Sequence, residues 1–187
     1  MNQVLQQSKK IKADADELLK ETDLINILSE FGKVEITGSY KADLMWEADI
    51  DMHVFGKFTR KDILKIMEKL MQETKMTGYM FFDWVTYSNP NWPKGYYLGI
   101  KQLFKNYKKQ WKIDIWFIGK EREESAKNMN LVSNLSDEEK IKILECKKYK
   151  IDNKYSFPST EIYKAILKDG ITSVEEFKKY IIKNKLK

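Results

Sequence analysis

The sequence predicts an α+β protein: a mixed β-sheet with flanking helices over residues 1–119, then a helical region over 120–187. Three observations carry that prediction. Apolar residues alternate in short runs at 33–37, 49–55, 95–104 and 112–118, the period-two pattern of strands. Helical spacing marks 3–30 and the stretch after Thr59. Strand signals stop at residue 120, beyond which SDEE and SVEE read as helix-opening caps.

Taken in order, Val4, Ile11, Ala15, Leu18, Leu19, Ile25 and Leu28 recur at helical intervals. Thr22 or Asp23 can interrupt that helix and cap its restart, and Gly32 is placed to end it. Val34 and Ile36 then lie on a short strand leading into a Gly38-Ser39 turn. The strand Asp49–Phe55 follows, with Ala48, Ile50, Met52 and Val54 on its buried face. Thr59 to Asp62 opens a helix with Ile63, Leu64, Met67, Leu70 and Met71 on one face. Gly78 begins an aromatic, strand-rich stretch to Tyr87, and Asn89-Pro90-Asn91-Trp92-Pro93 is a loop by its turn chemistry. Two more strands, 95–104 and 112–118, are joined by a lysine-rich turn. Ser136 opens a helix carrying Ile141, Ile143 and Leu144, and Pro158-Ser159 opens another carrying Ile162, Ala165 and Ile166. Gly170 ends that helix, and Ser173 caps a last one with Phe177, Tyr180 and Ile181. With no repeat and no low-complexity linker, a catalytic unit over 1–119 (its N-terminal helix at 3–30 included) and a helical domain over 120–187 are expected to pack together.

Composition narrows the function classes. The 187 residues are 42% hydrophobic and 13% aromatic, enough for a core, so disorder is not the default reading. Thirty-four Lys and Arg against 28 Asp and Glu give a net charge of +6. Spread along helices, that excess reads as solvated surface and only weakly favours phosphate-bearing partners. Single residues of Cys (Cys146) and His (His53) exclude an internal disulfide and a Cys/His zinc site. Cys146 reads as a packing residue. With no apolar signal region at its start and no run near about 20 apolar residues, the chain is expected to be cytoplasmic, with no membrane partner.

The chemistry gathers around GSYKADLMWEADID. Strand side chains alternate faces, so Asp49 and Asp51 point the same way, opposite the apolar set. Two neighbouring carboxylates repel unless solvated or bridged by a cation, and hard divalent ions are the usual occupants. On the strand KIDIWF, Asp114 lies opposite Ile113, Ile115 and Phe117. If the two strands are neighbours, three aspartates share one face and can hold one or two divalent ions, as in sites for in-line displacement at phosphorus.

An apolar strand, Gly38-Ser39, a spacer, Asp49-x-Asp51 and a later strand Asp114 resemble the nucleotidyltransferase fold of the DNA polymerase β superfamily. The likeness is greatest to small stand-alone bacterial nucleotidyltransferases, including those that adenylylate antibiotics, and it covers about residues 30–118. The resemblance implies a nucleotidyltransferase-like sheet and a role for each matched position. Gly38 lets backbone approach phosphate, and Ser39 donates to the outer phosphates of a nucleoside triphosphate, ATP above the others. Asp49 and Asp51 hold the metal, Mg2+ or Mn2+, as a pair of ions. Asp114 completes the second metal site and helps deprotonate an acceptor hydroxyl. A nucleoside monophosphate passes to that acceptor and pyrophosphate leaves.

Other residues invite weaker readings. Lys41 in the spacer is a candidate phosphate contact and Glu47 a solvated charge. His53 shares the face of Asp49 and Asp51 and is a substrate-contact candidate, with packing as the blander reading. Trp84, Trp92 and Trp116, with Tyr87, Tyr96 and Tyr97, are candidates for an acceptor pocket, Trp116 first among them because it shares the face of Asp114. The run from Lys101 to Lys112, KQLFKNYKKQWK, interleaves lysines with aromatics as single-strand binders do, although a lysine-rich hairpin explains the same letters. Three rival functions follow: a glycosyltransferase using Asp-x-Asp, a non-catalytic nucleic-acid-binding module, and a toxin–antitoxin partner. The glycosyltransferase leaves Gly38-Ser39 and Asp114 unexplained.

Overall fold

A computed structural model of the chain describes residues 2–74, 76–104, 110–120 and 123–187. The expected break in the N-terminal helix is present. Helix α1 (Gln3–Glu21) starts where the Asn2 side chain accepts the Val4 N–H and ends at Thr22, whose hydroxyl donates to the Leu18 carbonyl at 2.8 Å. Asp23 adopts a left-handed conformation, which turns the chain into α2 (Leu24–Ser29). Strand β1 (Lys33–Thr37) runs into α3 (Gly38–Lys41), one helical turn where a simple turn was expected. Strand β2 is Asp49–Phe55.

Thr59 and Asp62 form a reciprocal capping box that starts α4 (Arg60–Glu73). Its buried stripe is Ile63, Ile66 and Leu70, whereas Leu64 and Met71 lie in solvent, contrary to expectation. The period of 3.6 explains this: Ile66, one turn from Ile63 and Leu70, completes a stripe that leaves Leu64 and Met71 on its flank. Strands β3 (Met76–Asp83), β4 (Gly95–Gln102) and β5 (Trp111–Ile118) complete the strands among the described residues. Helix α5 (Glu123–Leu131) was not expected, since its apolar face is weakly patterned. Helix α6 (Asp137–Asp152) opens with the expected Ser136–Glu139 capping box. Helix α7 (Ser159–Leu167) is followed by Gly170 at φ +71°, and α8 (Val174–Lys183) is capped by Ser173.

The strands form one sheet in the order β1-β2-β5-β4-β3. Strands β2 and β5 pair in parallel, and the other neighbours are antiparallel. This is the adjacency on which the three-aspartate expectation depended. One face of the sheet packs Ile50, Met52, Val54, Ile113, Ile115 and Phe117 against α1, α2 and α4. A second core gathers Ile143, Leu144, Cys146, Ile162 and Phe177 from the C-terminal helices. Leu5 of α1 and the spacer residues Ala42 and Leu44 belong to this second core, while Ile11, Ala15 and Leu18 belong to the first. Helix α1 therefore ties the two layers together, and the C-terminal helices stand against the sequence that follows Gly38-Ser39.

Candidate active site

Alternation along β2 and β5, with both inner faces apolar, leaves Asp49, Asp51 and Asp114 on the same opposite face. Register does the rest: Asp51 faces Asp114 and Asp49 faces Lys112. One carboxylate oxygen from each aspartate lies within 4.8 Å of the others. Burial, then the charge of Asp51, holds the Asp49 carboxyl well above the usual range. Burial, then Asp114, does the same to Asp51. The Oδ1 of Asp49 is buried without a hydrogen-bond donor, its nearest cation being Lys112 Nζ at 3.9 Å. An orphaned carboxylate oxygen among clustered carboxylates is the donor set of a hard divalent cation, so Asp49, Asp51 and Asp114 fit such an ion.

Gly38 opens α3 at φ +63°, and a Cβ there would overlap the Asp51 carboxylate. The glycine is thus required twice over, by backbone conformation and by the aspartate beneath it. Tyr97 donates its hydroxyl to Asp114 Oδ1 at 2.7 Å, and Lys112 donates to Asp114 Oδ2. Burial opposes charge on Lys112, but the carboxylates of Asp114 and Asp49 outweigh it and keep the ammonium above its ordinary range.

The aspartates form the floor of a cleft of about 590 Å³. Gly38, Ser39, Trp46 and Glu47 line one side, and Lys147, Lys150, Thr160 and Tyr163 of the C-terminal helical layer line the other. Lys147 is buried, donates from Nζ to the Leu44 carbonyl at 2.8 Å and stands 5.3 Å above the Tyr163 ring. Burial pushes its ammonium down to about 7.

The expected residues divide. Gly38, Ser39, Asp49, Asp51 and Asp114 meet in the cleft. Lys41 does not: it ends α3 in solvent, and its charge bears on Glu35. His53 shares the aspartate face but lies farther along β2, buried between Glu35 on β1 and Trp116 on β5, edge-on to Phe55 at 5.8 Å. It lines neither the cleft nor the cavity beside it. Trp116 lines that second cavity with Trp84, Trp92 and Tyr97. Tyr96 points instead into the first core, and Tyr87 is 70% exposed. Alternation along β4 explains Tyr96, which is out of phase with Tyr97. Of the lysine-aromatic run, residues 105–109 lie outside the described residues. Its Phe104 and Trp111 are buried in the first core and Lys112 is in the cleft. Cys146 is buried and its thiol is pushed up to about 12 by that burial, as fits packing.

Lys147, Lys150 and Tyr163 escaped the sequence reading, which considered Tyr97 only for an acceptor pocket and Lys112 only as the end of the lysine-aromatic run. Lys112 carried a signal, since it precedes Asp114 by two on one strand and so shares its face. Lys147 and Lys150 sit in a lysine-rich helix, where spacing alone cannot tell the cleft-facing lysines from the solvated ones.

No protein-family model and no curated protein matches the chain. Solved structures do match. One is the Cid1 poly(U) polymerase with Mg 3'-dATP bound, at 16% identity and a TM-score of 0.60, over 83% of this chain and 49% of that one. A structure of Cid1 described for its RNA terminal uridylyl transferase activity matches at 17% identity and TM-score 0.56, over 79% and 42%. The non-canonical poly(A) polymerase complex GLD-2–GLD-3 matches at 14% identity and TM-score 0.54, over 93% and 61%. The chain spans about half the length of the Cid1 structures it matches. No helix among the described residues is long and apolar enough to cross a membrane. At these identities the likeness is one of architecture, and this chain has the nucleotidyltransferase-like α+β fold.

Proposed function

We propose that the protein is a metal-dependent nucleotidyltransferase that moves a nucleoside monophosphate from a nucleoside triphosphate, ATP first among candidates, to an acceptor hydroxyl. The observation that carries this reading is the convergence of Asp49, Asp51 and Asp114 beside Gly38-Ser39 in a cleft walled by lysines. The triphosphate lies between Ser39 on one wall and Lys147 and Lys150 on the other. Ser39 donates its hydroxyl to the outer phosphates, and the lysine ammoniums neutralise them. Phosphate next to Lys147 favours its charged form, which burial alone opposes. Asp49, Asp51 and Asp114 would hold the divalent ions, whose charge would neutralise the reacting phosphates. Asp114 receives the proton of the acceptor hydroxyl. The acceptor oxygen bonds to the α-phosphorus as the α–β bridging bond breaks, and the electron pair leaves on pyrophosphate. Tyr97 and Lys112 fix the Asp114 carboxylate in this position.

On the motif, the antibiotic-modifying type of nucleotidyltransferase is the kind proposed. The glycosyltransferase alternative accounts for Asp49 and Asp51 but gives no task to Gly38, Ser39 or Asp114. The test is pyrophosphate release from each nucleoside triphosphate with Mg2+ or Mn2+ and a panel of acceptors. Asp49→Ala is expected to cut the rate about a hundredfold or more while the fold persists. Release that is equal in wild type and Asp49→Ala, or absent with every nucleotide and acceptor, would refute the assignment.

A further inference from the structure

Past Asp114 the cleft opens onto a second cavity of about 420 Å³, walled by Met80, Phe82, Trp84, Trp92, Tyr97 and Trp116. The rings form a continuous shelf. Phe82 and Trp84 stack at 5.3 Å, Trp84 and Trp92 at 6.5 Å, and Trp92 and Trp116 at 6.0 Å. Tyr97 closes the line at 5.1 Å from Trp116. These rings lie on the sheet face opposite the first core, so they do not build it. Part of the shelf remains open to solvent, with Trp92 51% exposed, Met80 49% and Phe82 40%, while Trp84 and Trp116 are half-buried and Tyr97 is buried. A contiguous apolar patch left in water at the rim of a polar cleft marks a binding surface.

Position and charge identify what it binds. The shelf and the cleft share Trp92, Lys112 and Asp114. The shelf therefore adjoins the aspartate assigned to the acceptor proton, and Tyr97 joins the two by its hydrogen bond to Asp114. Among the described residues that line the cavity, Lys112 is the cation, and it is already paired with Asp114. A nucleic-acid strand would require several cations along its phosphates. A polycation would require carboxylates, and Asp114 is the carboxylate that borders the cavity. The volume suits one small ligand. We propose that the aromatic shelf is the acceptor site, and that the acceptor is a small uncharged molecule that lays a flat or apolar face on these rings and presents a hydroxyl to Asp114. The proposal rests on the nucleotidyltransferase reading for the word acceptor, but its binding claim stands apart from catalysis.

A binding assay tests it. 2-Naphthalenemethanol, which is neutral, flat and carries one hydroxyl, is titrated against the full chain by saturation-transfer NMR, and an oligoadenylate single strand is titrated in parallel at physiological salt. Saturable binding of the naphthyl alcohol is expected. It should weaken about fivefold to tenfold in Trp92→Ala and again in Phe82→Ala, two partly exposed positions whose truncation leaves the core intact. Oligoadenylate binding, if any, should be the same in all three proteins. No binding of the alcohol, or equal binding in all three, would overturn the proposal. So would oligoadenylate binding that falls in both variants, which would make the shelf a base-stacking platform. A failed nucleotidyltransferase assignment would show instead as absent pyrophosphate release with shelf binding intact.

Discussion

At one edge of the sheet Asp83 is surrounded by donors, while at its centre Asp49, Asp51 and Asp114 crowd one another. Asp83 ends β3. It accepts from Arg60 Nε at 3.1 Å, from the backbone N–H of Val85 and Thr86 at 3.0 and 2.9 Å, and from the Thr86 hydroxyl at 2.9 Å. Burial pushes this carboxyl up, but the donors outweigh burial and hold it down at about 2. For Asp49 and Asp51 burial and like charge act in the same direction, and both carboxyls are raised. The two places have the same residue type on the same sheet. What differs is whether the chain itself supplies the counter-groups. Where it does, the carboxylate serves the fold. Where it withholds them, room is left for a cation from outside.

The largest break in that comparison should come from removing the satisfied partner. Asp83→Ala strips two backbone N–H groups and Arg60 of their acceptor. Arg60 is 57% exposed and can turn to water, so the cost falls mainly on the turn. Urea unfolding should show a loss of about 2 kcal/mol. Nucleotidyl transfer per folded molecule should be unchanged. Asp49→Ala should show the converse, an unchanged or raised midpoint with lost transfer. If Asp83→Ala abolishes transfer without destabilising the chain, the division between the two sets of aspartates fails.

The same contrast explains what could be read in advance. Strand alternation around Ile50, Met52, Ile113 and Ile115 fixed which face the aspartates occupy, because a period of two leaves no other choice. Capping residues at Thr59, Ser136 and Ser173 marked helix starts through local hydrogen bonds that need no tertiary partner. Adjacency of β2 and β5 was only a condition, since pairing across the intervening α4, β3 and β4 is a tertiary outcome. The cleft's second wall was illegible for the same reason. Lys147 and Tyr163 reach the aspartates only because the C-terminal helices pack on Leu5, Ala42 and Leu44. Lys41 was misplaced because the Gly38-Ser39 turn continues as one helical turn, which carries residue 41 out of the cleft.

A smaller effect, opposite in sign at the two places, should appear with pH. Asp83 has a folded pKa of about 2, below its ordinary 3.8. Its contribution is present above about pH 4 and lost as pH falls towards 2. Asp49 and Asp51 have folded values raised above the same 3.8. Their contribution is fully present below about pH 4 and lost as pH rises through their folded values. In EDTA the thermal midpoint should therefore carry a decline from this pair on going from weakly acidic to neutral pH. Mn2+, which takes the ionised carboxylates, should reverse it, and its own affinity should rise over that window. Thermal melts with EDTA and with Mn2+ across that range measure both. A midpoint shift from Mn2+ that is independent of pH would detach the raised carboxylates from metal binding.

The smallest effect concerns Lys112, which sharpens the comparison because it is a partial counter-group inside the cluster. Its Nζ donates to Asp114 and stands 3.9 Å from Asp49, so without metal it supplies some of the positive charge that an ion would bring. The side chain is 51% exposed, and solvent screening limits its worth to under about 1 kcal/mol. Lys112→Met should lower the midpoint slightly in EDTA and strengthen Mn2+ binding a few-fold, because the ion then meets carboxylates with no resident cation. Lys112→Arg should restore wild-type values for both. Calorimetric titration of Mn2+ without nucleotide separates this role from a phosphate contact. Unchanged Mn2+ affinity in Lys112→Met, with weakened ATP binding, would assign the ammonium to the triphosphate and leave the aspartates without an internal counter-charge.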